Sequence, residues 1–143
     1  MGPAQPPRLD RNPRTVEEAR AFVSYVESLF MPWNVEELMK GFTEDVVVCF
    51  GDRLVMRGKS ELERFFRARS VRQKGYALRK EFRALMDDTI ANYWEGTWED
   101  ATSGAAMWGR GVETWNLRDG KIAVWEAAFN VREKDKDSAL GIV

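Results

Sequence analysis

The sequence predicts a single α+β domain: a cone-shaped, curved antiparallel sheet packed on three N-terminal helices, with an internal pocket. Three helix-start signals lie in the first half of the chain, and four long segments of strand character follow them. Helices followed by a meander of strands are typical of α+β folds. The apolar face of a long sheet must be covered, and the helices are the only cover available. A curled sheet closed by helices at one end leaves a cavity at its open end.

Each of the three predicted helices opens with a polar side chain that stands three residues before a glutamate. The polar side chain can accept a hydrogen bond from a free backbone N–H, and the glutamate can reach back to the cap residue. Apolar residues at helical spacing predict a first helix from about Val16 to Phe30, which Pro32 ends. The capping pairs are Thr15 with Glu18, Asn34 with Glu37, and Ser60 with Glu63.

Strand character begins with a short hairpin, at Val46 to Phe50 and Leu54 to Met56, around a turn that contains Gly51 and Asp52. After Gly75 the chain becomes a series of long strands separated by short polar turns. Successive strands with short connections should pair antiparallel. The predicted strands are Tyr76 to Met86, Thr89 to Glu99, Ala106 to Leu117 and Ile122 to Val131.

Length and composition set the limits of the interpretation. The chain has 143 residues, of which residues 15–131 form the predicted domain, 1–14 a flexible, proline-rich lead-in and 132–143 a charged tail. The 22 basic and 23 acidic residues nearly balance, so neither nucleic acid nor a membrane is expected as a partner. With one cysteine and no signal-peptide pattern, we expect a cytoplasmic protein.

The chain contains no histidine. This excludes Ser-His and Cys-His nucleophilic catalysis and removes the commonest ligand of transition metals. One cysteine with carboxylates would make a poor zinc site, so we expect neither a metal nor another cofactor. Acid–base chemistry must therefore use Asp, Glu, Lys or Tyr.

The last predicted hairpin brings two carboxylates together. If Leu117 pairs with Ile122 around a four-residue turn, then Glu113 lies opposite Glu126, on the face that also carries Trp115. Two like charges side by side under an apolar lid cost energy unless one is protonated or paired. A carboxyl group that stays protonated near neutral pH can serve as a general acid, so Glu113 and Glu126 are the candidate catalytic residues.

The same face of the sheet offers further binding residues. Asn130 could donate a hydrogen bond to a substrate carbonyl. A two-residue turn at Asp87-Asp88 places Lys80 opposite Glu95 as an exposed ion pair, and turns Glu81 toward the pocket as a third carboxylate. The tryptophans of the predicted strands would form walls suited to a flat or apolar ligand, or simply fill the cone. The candidate wall and ligand-binding residues are Trp94, Trp98, Trp115 and Arg110.

Two structural interpretations of the carboxylate pair remain open. A β-bulge would shift the register and leave one of the glutamates in solvent. Alternatively, an arginine such as Arg79 or Arg110 would neutralise both carboxylates in a structural network.

The element order, with Gly120-Lys121-Ile122 and Phe129-Asn130 near its end, resembles the nuclear transport factor 2-like superfamily, which includes ketosteroid isomerase-like and SnoaL-like proteins. Scattered positions are more narrowly similar to an uncharacterised bacterial branch. The resemblance implies a pocket aspartate as general base near the end of the last strand, and a homodimer formed through the outer sheet face. This chain has Asn130 at that place, and an asparagine cannot act as a base. The narrower similarity rests on Trp33-Asn34, Arg57-Gly58-Lys59, Tyr76, Leu78, Lys80, Glu81, Trp98, Gly111, Glu113, Trp115, Glu126-Ala127 and Asn130.

Two functions are compatible with these residues. The first is a cofactor-independent isomerase, cyclase or hydrolase that acts on a small apolar or aromatic substrate by carboxylate acid–base catalysis. The second is a non-catalytic module for binding a small ligand or for dimerisation. The superfamily contains both kinds of protein, and a fold alone does not transmit function.

Overall fold

The structure, a computed structural model, describes residues 10–51 and 54–136. Parts of the predicted lead-in (1–9), hairpin turn (52–53) and tail (137–143) lie outside these residues. The described residues contain three helices and six strands, which confirms the α+β class. In chain order the elements are α1 (Val16–Ser28), α2 (Val35–Lys40), β1 (Phe42–Phe50), β2 (Leu54–Arg57), α3 (Lys59–Arg72), β3 (Gln73–Met86), β4 (Thr89–Asp100), β5 (Ala106–Arg118) and β6 (Lys121–Glu133).

The six strands form one curved, unclosed sheet in the order β2-β1-β6-β5-β4-β3. Every neighbouring pair is antiparallel except β1 and β6, which run parallel. The helices cover the concave face, and the core lies between them and the sheet. Fully buried side chains at its centre are Phe22, Leu38, Val46, Leu62, Phe66, Ile90 and Trp115. None of the helices in the described residues is long and apolar enough to span a membrane.

Two of the three predicted helix caps are confirmed. The Glu18 N–H donates to the Thr15 hydroxyl at 3.1 Å, and the Glu37 N–H donates to the Asn34 side chain at 3.2 Å. The third prediction, a cap at Ser60, is wrong. The cap position of α3 lies two residues earlier, at Gly58, and no side chain caps the helix. Gly58 has a φ of 85°, with which the chain leaves β2.

A β-bulge in β6 sets the register of the last hairpin. Leu117 pairs with Ile122 as predicted, but the next pair is Asn116 with Val124, so β6 contains one extra residue. Beyond the bulge, Glu113 lies opposite Ala127, and Glu126 lies opposite Thr114. Because side chains alternate between the faces of a sheet, the one-residue shift places Glu126 on the outer face.

A second bulge in β3 reverses two further predictions. Between Ala84 and Phe82 the strand advances two residues while β4 advances one, so Lys80 pairs with Trp94 and not with Glu95. The shift turns Lys80 inward and Glu81 outward. The exposed pair predicted for Lys80 and Glu95 is therefore wrong, and Arg79 donates to Glu95 and Glu81 instead, each at 2.9 Å.

The end of α3 is fixed to the sheet by one ion pair. The Arg72 guanidinium donates to Asp100 at 2.8 Å, and the other Asp100 oxygen accepts from the Ser103 N–H and hydroxyl, both at 2.9 Å. These hydrogen bonds, first of all that from Arg72, lower the pKa of Asp100 to about 2. The last turn of α3 is thereby held against the end of β4.

This pair predicts a pH dependence of stability. The pKa of Asp100 is lower in the folded chain than in the unfolded one, so its contribution is complete above a pH of about 4 and is lost as the pH falls toward 2. We expect Asp100→Asn to remove this part of the dependence. Urea unfolding at several pH values between 2 and 6 measures it. The prediction would be contradicted if the free energy of unfolding changed with pH equally in the wild type and in the variant over this range. Glu44→Gln, at an exposed carboxylate, is the control.

Candidate functional site

The concave face of the sheet and the helices enclose a cavity of about 250 Å³. Its walls are mainly aromatic, and the charged residues among its described lining are Lys80, Glu113 and Arg69. Aromatic residues from the helices, their connections and the sheet line it, among them Phe30, Trp33, Phe65, Phe66, Trp94, Trp98 and Trp125. Such a cavity suits a small, mostly apolar ligand with a few polar groups.

Glu113 is the centre of the polar part of the cavity. Its side chain has no exposed area, and its Oε2 accepts from the Lys80 ammonium at 2.8 Å and from the Asn92 amide at 3.1 Å. Its Oε1 accepts from the Trp125 indole N–H at 3.0 Å. The three donors come from β3, β4 and β6, so the carboxylate on β5 joins all four long strands.

Lys80 is buried beside Glu113, with 4% of its side chain exposed. Its ammonium lies 5.5 to 5.8 Å from the ring centres of Trp115, Phe30 and Trp125. Aromatic ring faces attract cations, so the three rings hold the ammonium in place beside Glu113. An ammonium has three N–H donors, and one of them bonds to Glu113. The other two have no acceptor in the described part of the chain.

Tyr76 and Trp33 form another part of the wall. The two rings are stacked, with 5.7 Å between their centres, and Trp98 meets Tyr76 edge-on. Burial raises the pKa of Tyr76, so its hydroxyl is a hydrogen-bond donor across the neutral range and not a base. Gly96 lies under this ring, since a Cβ there would come within 2.8 Å of it.

The structure brings together only some of the residues predicted for the site. Glu113, Trp94 and Trp98 line the cavity. Trp115 does not line it, but lies below it in the core, edge-on to Phe22, and supports Lys80 from beneath. Its role is therefore packing.

The other four predicted site residues lie exposed on the outer face of the sheet. The bulge in β6 turns Glu126 and Asn130 outward, so neither a carboxylate pair nor an Asn130 oxyanion donor exists in the cavity. The bulge in β3 turns Glu81 outward, where Arg79 pairs with it. Arg110 lies opposite Asn130 and stacks on Tyr93 at 5.3 Å.

Sequence reasoning missed Lys80, Asn92 and Trp125 as partners of Glu113. One signal was present, because Tyr76, Leu78 and Lys80 alternate and the first two are aromatic and aliphatic. That pattern places Lys80 on the apolar face of β3. The described residues contain no cluster of three or more side chains suited to a metal ion.

Comparison with known proteins identifies a family and a fold. The family described as "Protein of unknown function (DUF1348)" matches residues 12–138. No curated protein shows a significant match to the chain.

Solved structures with the same fold cover most of the chain. The epoxide hydrolase/cyclase-like enzyme SalBIII, described in pyran ring formation in the polyether salinomycin, has a TM-score of 0.73 at 13% identity over 82% of this chain and 96% of its own. An LEH-like epoxide hydrolase from M. tuberculosis has a TM-score of 0.68 at 16% identity, over 82% of this chain and 86% of its own. An NTF2-like protein of unknown function from Exiguobacterium sp. 255-15 has a TM-score of 0.66 at 16% identity, over 76% of this chain and 97% of its own. At such identities the likeness shows the fold alone, which is the nuclear transport factor 2-like fold that SnoaL-like proteins share.

The buried pair predicts a strong energetic coupling between Lys80 and Glu113. Lys80→Met and Glu113→Gln should each lower the free energy of unfolding by about 3–5 kcal/mol, because each leaves a buried charge unpaired. The double variant should lose no more than one single variant. The amide introduced by Glu113→Gln can still accept from the Trp125 indole. After rotation of the Asn92 side-chain amide, it can donate to the Asn92 oxygen, which has no hydrogen-bond partner in the described residues.

Urea unfolding of the four proteins measures this coupling as a double-mutant cycle. The exposed pair Arg79 and Glu95 is the matched control, and its cycle should show a coupling near zero. The prediction would be contradicted if the loss of unfolding free energy in the Lys80→Met/Glu113→Gln protein equalled the sum of the losses in the two single variants.

Proposed function

The chain belongs to the DUF1348 family, and we propose that it is an enzyme that transfers a proton on a small apolar or aromatic substrate held in the cavity. The reaction would be that of a cofactor-independent isomerase, cyclase or hydrolase. The observation that carries the proposal is the buried Lys80–Glu113 pair, which contributes an ammonium donor and a carboxylate to a cavity with aromatic walls.

Lys80 is suited to bind a substrate oxygen. Two of its N–H donors have no acceptor among the described residues, and an ammonium that is 4% exposed stabilises negative charge more strongly than one in bulk water. A carbonyl, epoxide or ether oxygen placed against Lys80 would accept a hydrogen bond. The bond would strengthen as the oxygen gains charge in the transition state.

Glu113 is suited to accept the proton. It is the one carboxylate among the described residues that line the cavity. Its Oε1 bonds only to Trp125 and keeps a second acceptor position. In an isomerisation, the C–H bond beside a carbonyl would break and its proton would pass to Glu113. The electron pair of that bond would form a C=C bond, while the π pair of the carbonyl moves to the oxygen held by Lys80. Return of the proton to another carbon of the conjugated system, as the carbonyl forms again, would complete the reaction.

The energetic cost of the pair also supports a functional role. Well-packed apolar residues in place of a buried ion pair are often neutral or stabilising, so stability alone is a weak reason to keep these charges. The similarity to SalBIII and to an LEH-like epoxide hydrolase adds an analogy, since similar folds in those proteins carry chemistry at an oxygen.

One observation favours a second candidate function, ligand binding without turnover. The Glu113 carboxylate accepts three hydrogen bonds and has no exposed area, so it would have to lose part of this network to act as a base. A binding module would need only the free donors of Lys80 and the aromatic walls.

Proton exchange of 2-tetralone, a flat aromatic ketone, separates the two functions. We expect the wild type to accelerate deuterium exchange of the protons beside the carbonyl, measured by NMR in D2O. The Lys80→Met/Glu113→Gln variant should lose this acceleration by about 100-fold or more, because both the donor and the base are gone. This variant avoids an unpaired buried charge, and circular dichroism checks its fold.

Glu126→Gln is the matched control, since Glu126 is a carboxylate on the neighbouring strand but on the outer face. It should keep the full rate. Binding of 2-tetralone to the wild type without accelerated exchange would establish the binding module. Acceleration that survives in the double variant would rule out the proposed catalytic pair.

A further inference from the structure

We propose that the natural ligand carries an anionic group, such as a carboxylate, which binds Arg69 in the wall of the cavity. The inference rests on the proposed function for the identity of the site and adds the class of ligand: an elongated acid with an apolar body.

Arg69 is a cation that no carboxylate among the described residues pairs with. Its guanidinium stacks near the Phe65 ring at 5.9 Å and the Trp98 ring at 6.0 Å and lines the cavity, yet it makes no hydrogen bond or ion pair with the described residues. Two other arginines of α3 are paired: Arg67 bonds to Glu63 at 3.0 Å and Arg72 to Asp100 at 2.8 Å. Arg64 also has no partner among the described residues, but it is exposed to solvent, whereas Arg69 lines the cavity. Burial lowers the pKa of Arg69, which records the cost of holding this charge away from water.

Two further donors lie beside this arginine. Gln73, one helical turn later, is 6% exposed and lines the cavity, and its side-chain amide has no partner among the described residues. The hydroxyl of Tyr76 likewise makes no hydrogen bond there, and it interacts electrostatically with Arg69. Arg69 and Tyr76 are half-buried, and the polar atoms of all three side chains keep some contact with the open space of the cavity. Three donors without a protein acceptor in one wall form a site where an acceptor on a ligand can replace water.

The net charge of the cavity lining also favours an anionic ligand. Among its described lining residues, Lys80 and Arg69 are cationic and Glu113 is anionic. Lys80 and Glu113 neutralise each other at 2.8 Å, and Arg69 leaves one positive charge uncompensated. A carboxylate is the natural match for a guanidinium, because the two planar groups can form paired, charge-assisted hydrogen bonds.

The position of these groups along β3 implies an elongated ligand. The register shifts between Lys74 and Ala77, where Gly75 has a φ of 62°, and this irregularity lets Gln73 and Tyr76 both face the cavity. Tyr76 and Lys80 are four residues apart, which is about 13 Å along a strand. A ligand with an acceptor oxygen at Lys80 and an anion near Tyr76 and Arg69 would place its apolar body between the aromatic walls.

The test compares 2-naphthoate with 2-naphthamide, which have the same shape and differ in charge. Isothermal titration calorimetry at pH 7.5 should show that the wild type binds the naphthoate at least about tenfold more tightly. Arg69→Met should abolish this preference, and Arg69→Lys, which keeps the charge but not the planar fork, should retain part of it. Arg64→Met, at an exposed position of the same helix, should leave it unchanged.

Several outcomes would overturn the inference. They are equal binding of the two probes by the wild type, no binding of either probe, or a preference that persists in Arg69→Met. A preference that disappears only in the Lys80→Met/Glu113→Gln variant would place the anion at the catalytic pair and also overturn it. The proposed function is judged separately, on proton exchange of the neutral 2-tetralone, so either proposal can fail without the other.

Discussion

The buried ion pair between Lys80 and Glu113 is the interaction on which the interior of this protein depends. Two charges removed from water are tolerated only when each is neutralised and hydrogen-bonded. Glu113 meets this demand with three donors from three strands, and Lys80 meets it with one carboxylate and three aromatic rings. The network thus couples the register of the four long strands. A slip of one residue in β3 or β5 would separate the two charges, and a slip in β4 or β6 would remove a hydrogen bond from the Glu113 carboxylate.

Two of the β-bulges make this pair geometrically possible: the one between Phe82 and Ala84 of β3, and the one in β6 next to Ile122. Without the extra residue in β3, Lys80 would face solvent, and without the one in β6, Glu126 would lie beside Glu113 in the interior. With both bulges, each outward-turned carboxylate is exposed, and Glu81 finds Arg79 as a partner. An unfavourable pair of like charges is replaced by an attractive pair of opposite charges. Both effects favour the observed register.

The cavity follows from the same architecture. The three helices do not fill all the space on the concave side of the curved sheet. Large rings such as those of Trp33, Trp98 and Trp125 line the space that remains. Against this apolar background the polar groups form two sets. One is the Lys80–Glu113 pair, and the other consists of the donors around Arg69, which have no acceptor among the described residues. The first set is balanced in charge and suits chemistry at an oxygen. The second is not balanced and suits recognition of an anion.

The sequence by itself determined the element types, their order and the absence of histidine chemistry. Helical spacing, two capping pairs and polar turns are local signals, and they predicted the α+β cone and placed Glu113 correctly on the inner face. Only the tertiary structure decided which residues join Glu113. A bulge inserts a single residue, and the local sequence of β3 and β6 does not fix its position, although the alternation of Tyr76, Leu78 and Lys80 indicates the inner face for Lys80. The position of each bulge depends on which side chains, distant in sequence, must be buried or solvated together. For this reason Lys80 lies in the site, and the predicted site residues on the outer face are Glu126, Asn130, Glu81 and Arg110.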